Sequence, residues 1–101
     1  MNQDLIIVIV DKYKDENVME AAKSAGATGG SILHGRGCKA NEHKWVFDIL
    51  VEPEKEVVFI LSESHATDKI VEAIDKEMNL SSGNNGLLFV VDVLDAVGLK
   101  G

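Results

Sequence analysis

The run LIIVIV at residues 5–10 constrains this chain more than any other stretch. Periodicity alone cannot classify so short an apolar run, but its β-branching and brevity are those of a strand buried on both faces. Such a strand needs a layer above it and a layer below. With Asp4 just ahead of it and no basic residue in front, the run has neither the flanks of a signal peptide nor the length of a membrane span.

The elements that could supply those layers follow in order. Val18, Ala21, Ala22 and Ala25 recur at helical spacing, and Gly26 stands where a helix C-terminus favours positive φ, which predicts a helix over about residues 15–25. Its inner stripe is mostly alanine, so it must lie close against a sheet. Residues 28–34 predict a second strand, weakened by Gly29 and Gly30 and running into a GRG loop. Trp45, Phe47, Ile49 and Val51 alternate with Lys44, Val46, Asp48 and Leu50, the period-2 pattern of an additional strand before the EPEK turn. Residues 55–62 predict a further strand centred on Val57 to Leu61. Ile70, Val71, Ile74 and Met78 predict a second helix over residues 66–78, with Ser64 or Thr67 available as N-cap. LSSGNNG is a strong turn signal, residues 87–93 read as the last strand, and the ending is a short tail.

The resulting order, β-α-β-β-α-β with one extra strand, is the split βαβ or ferredoxin-like α+β arrangement over a single domain, residues 1–101. Both helices cover one face of an antiparallel sheet. The other face is left apolar and uncovered, and the simplest cover is further copies of the chain in a closed ring.

Composition narrows the functional classes. Hydrophobic residues at 46% and charged residues at 27% suit a folded core. Ten Lys and Arg against 17 Asp and Glu give a formal net charge of −7, which opposes general binding to nucleic acid or to anionic membranes. A nucleotide pocket survives that argument, because a few backbone amides can hold one phosphate chain in an acidic protein. The single cysteine, Cys38, allows no intrachain disulfide and fits a reducing, cytoplasmic setting.

GATGGSILHGRG, residues 26–37, is the main candidate for binding chemistry. Its glycines could turn N–H groups towards an anion beside Arg36; equally, they fit a helix cap followed by a hairpin bulge. It matches neither a P-loop nor a dinucleotide fingerprint. SSGNNG, residues 81–86, is a second small-residue loop that reads as a turn by itself. His34, His43 and His65 with Cys38 raise a metal reading, but their spacing is that of a solvated loop and not of paired zinc ligands. No nucleophile, base and orienting group can be assembled, so an enzyme is not expected.

GATGGSILHGRG after the first helix, the EVVFILSES strand and GLLFVVDVLDAVGL near the end together resemble the PII nitrogen-regulatory signalling family and its PII-like relatives, over nearly the whole chain. The resemblance implies a homotrimer with adenine nucleotides (ATP, ADP or AMP) as effectors in clefts between subunits, sometimes with 2-oxoglutarate sensed as well, and with no obligatory cofactor. It also implies a mobile loop, here residues 35–54, controlling a transporter, enzyme or transcription factor, in nitrogen regulation among other settings. On this chain the adenine pocket maps to Thr28, Gly29, Gly30 and Ser31 with Leu61 and Ser62. The family's second glycine-rich loop corresponds to Gly83, Asn84, Asn85 and Gly86; the Gly35–Arg36–Gly37 turn and Lys100 are further candidate phosphate contacts, although Arg36 sits between two glycines and does not match the arginine that follows the family's loop glycine.

Departures from the family pattern accompany the likeness. Leu87 stands where the family places a phosphate-binding lysine, and Gly98 and Lys100 stand where it places an arginine pair. Each lost charge-assisted contact removes about 1.5–3 kcal/mol, which implies weaker nucleotide binding or an altered ligand. The presumptive effector loop holds no tyrosine, the only one being Tyr13. The alternative expectation is a metal-binding trimer of CutA-like architecture using Cys38 and His43, with His34 as a further ligand.

Overall fold

The computed structural model describes residues 2–37, 44–46, 49–51 and 53–99. The elements are β1 (Gln3–Asp11), α1 (Asp15–Ser24), β2 (Ser31–Arg36), β3 (Lys44–Val46), β4 (Ile49–Val51), β5 (Glu54–Glu63), α2 (Ser64–Met78), a 3₁₀ turn at Leu80–Ser82 and β6 (Leu87–Asp92). The main sheet has the order β2-β5-β1-β6 and all its pairings are antiparallel. β1 and β2 therefore run the same way with β5 inserted between them. This is the ferredoxin-like arrangement, with β3 and β4 as a separate two-stranded ribbon.

Side-chain parity decides which face is covered. Ile6, Val8 and Val10 of β1 share one face with Val58 and Ile60 of β5, and all five are buried against Val18, Ala21 and Ala22 of α1 and Ile70 and Ile74 of α2. Each buried Ile or Val contributes on the order of 1.5–3 kcal/mol. The alanines of α1 let that helix sit close to the strands, as its sequence requires. The opposite parity carries Leu5, Ile7 and Ile9, register partners of Leu61, Phe59 and Val57 on one side and of Val91, Phe89 and Leu87 on the other. On this face Phe89 is 48% and Leu33 50% exposed.

Three details differ from the sequence expectations. β2 begins at Ser31 and not at Thr28, because residues 28–30 form the approach to the strand. The alternating stretch expected as one additional strand is two short strands, β3 and β4, paired antiparallel with Val46 opposite Ile49. α2 starts at Ser64 with Glu63 as its N-cap residue and no side-chain cap. Thr67 lies within the first turns and donates its hydroxyl to Asp4 Oδ2 at 2.7 Å instead. Gly26 does follow the end of α1 with φ +112°. Among the described residues no helix is long and apolar enough to cross a membrane.

Candidate functional site

A cavity of about 790 Å³ opens beside the C-terminal end of β5. One wall is the backbone from Gly26 to Ser31, the other is Phe59 to Glu63 with His65, Ala66 and Ile70 of α2, and Gln3, Leu5 and Leu99 close the rim. The sequence-expected residues Thr28, Gly29, Gly30, Ser31, Leu61 and Ser62 thus share one cleft.

The cleft exists because β2 is shorter than β5. Ser31, the first residue of β2, pairs with Phe59, so the last residues of β5 have no strand on that side. Gly30 brings its backbone so near that a Cβ there would lie 2.7 Å from the Phe59 carbonyl oxygen. That contact fixes which way the Phe59 carbonyl points. Within a strand, residues two apart turn their N–H and C=O to the same side. Leu61 therefore directs one donor and one acceptor into the cleft, side by side, with no strand to receive them.

Beneath that edge lies a hydroxyl chain. Thr67 Oγ1 gives its only proton to Asp4 Oδ2, so the 2.6 Å contact between the Ser62 and Thr67 hydroxyls has Ser62 as the donor. Both hydroxyl residues are buried, Ser62 to 4% and Thr67 to 4% exposure. At the mouth, His65 Nε2 meets Glu63 Oε2 at 2.5 Å, both side chains being largely exposed.

Other expected residues lie elsewhere. Gly35 and Arg36 sit at the opposite end of β2 and line a separate cavity of about 290 Å³ with Lys12, His34, Glu54 and Lys55. Gly37 donates to the Pro53 carbonyl at 3.2 Å, closing the root of the intervening segment. Gly83 to Gly86 lie at that same end of the sheet, leading into β6, whose Leu87 pairs with Ile9 near the end of β1. A Cβ on Gly86 would stand 2.5 Å from the Ile9 carbonyl oxygen, and its φ is +145°. Within one chain, then, Thr28–Ser31 lies at one end of the sheet and Gly83–Gly86 at the other. Lys100, Cys38 and His43 lie outside the described residues, and among the described residues no group of three metal-type ligands occurs.

Sequence reasoning missed Gln3, Leu5, Glu63, His65 and Leu99 around the cleft. The register of β5 against β2, which exposes them, is a long-range property with no local signal. Leu99 reads as tail in sequence and comes to the rim because Val93 N–H still bonds the Gln3 carbonyl, carrying the chain back along β1.

Comparison with known proteins agrees with this architecture. The chain matches the family model "Nitrogen regulatory protein P-II" over residues 3–101. No curated protein matches it significantly. Among solved structures, PII from Arabidopsis thaliana bound to citrate is similar with a TM-score of 0.68 and 18% identity, covering 91% of this chain and 78% of that one.

Proposed function

Because the chain belongs to the nitrogen regulatory protein P-II family, whose members are signal-transduction regulators, we propose that it is a non-enzymatic cytoplasmic sensor. In this reading it binds an adenine nucleotide between copies of itself and controls a partner protein, in nitrogen regulation, through residues 35–54. The observation that carries the reading is the unpaired edge of β5. The side-by-side donor and acceptor of Leu61 match the amino group and ring nitrogen on one edge of adenine, beside a backbone of small residues that admits a flat base.

The separation of the two glycine-rich stretches supports binding between copies. From Leu61 to Lys55 the strand runs roughly 20 Å at about 3.3 Å per residue. A nucleotide whose base lies at Leu61 and whose phosphates lie at Gly83–Gly86 takes the two from neighbouring chains. The uncovered apolar face supplies the association, and a closed homotrimer buries it without leaving an open end. Of the expected cationic phosphate contacts, Arg36 and Lys100 remain in the sequence, while Leu87 and Gly98 offer none.

Ligand control of a partner then works by population shift: contacts at the Gly35–Gly37 root differ between the free and ordered states of the adjoining segment. Calorimetry against ATP, ADP, AMP, cyclic AMP and bicarbonate, with and without Mg²⁺, is the test. Saturable micromolar binding of an adenine nucleotide is expected, with protease cleavage between residues 37 and 53 changing on saturation. Silence across the panel overturns the reading.

A further inference from the structure

The cleft beside β5 holds a carboxylate where a phosphate site would hold a cation. Among the described residues that line it there is no Lys or Arg, and Glu63 is the single carboxylate, with His65 as the other titratable group. Glu63 is the last residue of β5 and His65 the second of α2, so the two stand on either side of the strand-to-helix junction. That junction is anchored, since the Ser64 N–H donates to the Asn2 carbonyl at 3.0 Å.

Glu63 Oε2 lies 2.5 Å from His65 Nε2. An ionised carboxylate can only accept, so the ring nitrogen carries the proton in this contact. The bond holds one carboxylate oxygen in place, and among the described residues Glu63 Oε1 has no hydrogen-bond partner. Glu63 follows Leu61 by two residues and shares its strand face, roughly 7 Å further along β5 at about 3.3 Å per residue. The pair is thus an oriented acceptor at the mouth of the cleft, one step beyond the backbone groups of Leu61.

The sign of this charge decides what it can meet. A phosphate placed there faces a like charge with no Lys or Arg to offset it, whereas a neutral group carrying O–H donors finds an open oxygen. An acidic residue takes a ribose hydroxyl in dinucleotide-binding folds on the same physical grounds.

We propose that Glu63 reads the ribose of the ligand, accepting its 2′ and 3′ hydroxyls, and that the cleft thereby selects nucleotides whose two sugar hydroxyls are free. The assignment rests on the adenine reading of the cleft and adds the sugar to it. With the hydroxyls turned to Glu63, the 5′-phosphates are carried away from that carboxylate.

Calorimetry on the full chain with two matched pairs of ligands tests this. The first pair is ATP and 2′,3′-dideoxy-ATP; the second is ADP and adenosine 3′,5′-bisphosphate, which carry equal numbers of phosphates. In each pair the first ligand should bind about fivefold or more tighter. Glu63→Ala should bring both ratios close to one, and its affinity for the bisphosphate should rise, a gain that loss of folding cannot produce. Equal affinities within the pairs, or preferences that survive Glu63→Ala, overturn the assignment and leave the adenine reading standing. Silence from all four ligands overturns both.

Discussion

The backbone N–H of Tyr13 donates to the buried carboxylate of Glu56. Tyr13 has φ +73°, a left-handed conformation that costs a side-chain-bearing residue about 1–2 kcal/mol, and its ring is 77% exposed. The β1–α1 turn is thus held in an unfavourable backbone state by a side chain of β5. Lys12–Glu54 and Asp11–Lys55 add two further links between the same segments.

Tyr13→Asn should stabilise the fold by about 1 kcal/mol, since asparagine tolerates the left-handed region. Glu56→Ala should destabilise it by about 1–3 kcal/mol through loss of the acceptor. Urea unfolding of the two variants and their double mutant measures both effects. The penalty of Glu56→Ala should shrink in the Tyr13→Asn background, and strict additivity would count against this account of the turn.

Gly30 and Gly86 are close-approach positions. An added Cβ meets backbone oxygen at 2.7 Å in the first and 2.5 Å in the second, where positive φ adds strain. Gly30→Ala and Gly86→Ala should each cost about 2 kcal/mol or more. Gly29→Ala, whose Cβ would meet nothing within 4 Å, should stay within about 0.5 kcal/mol. Denaturation midpoints decide between these outcomes.

Thr67→Val keeps the shape of a buried residue but removes the hydroxyl linking Ser62 to Asp4. The expected cost is about 1–3 kcal/mol, because the buried Ser62 hydroxyl loses this partner. Calorimetry on the same variant should show weaker ligand binding in the cleft, since the orientation of Ser62 is no longer imposed. Stability equal to that of the unmodified chain would mean that water replaces the threonine.

Asp75 receives the N–H of Ser81 at 2.8 Å and its hydroxyl at 2.6 Å. The Ser81 hydroxyl, and after it the Ser81 N–H, hold this carboxyl below the usual aspartate range. Its contribution to stability is therefore complete above the unfolded pKa and is lost as the pH falls through the lower folded value. Carboxyl titration by NMR should place Asp75 below the ordinary aspartates, and Asp75→Asn should flatten the acid limb of the stability profile.

Phe89→Glu places a charge in the middle of the uncovered face beside Ile7. Light scattering should report a shift from the mass of an assembly to that of a single chain, with the circular dichroism unchanged. An unaltered mass would place the contact between copies elsewhere.

The sequence made the architecture legible wherever a local period coincided with a buried face. LIIVIV became β1, and the i, i+3, i+4 stripes became α1 and α2. It misled over residues 45–51, where one alternation spans two strands, β3 and β4, that pair antiparallel. The cleft was half legible. Small residues from Thr28 to Ser31 advertised close approach, yet only the Ser31–Phe59 register reveals that β5 outruns its partner and leaves Leu61 facing it. Nothing in DKYK signals a left-handed tyrosine, because its restraint comes from Glu56 on another strand.

The hydrogen bond from Gly37 to Pro53 makes a neck. The neck stands where β2 ends and β5 begins, and the entropy of closing a loop there grows slowly, by about 0.6 kcal/mol for each doubling of its length. The intervening stretch can therefore be lengthened, trimmed or rewritten with little effect on the scaffold.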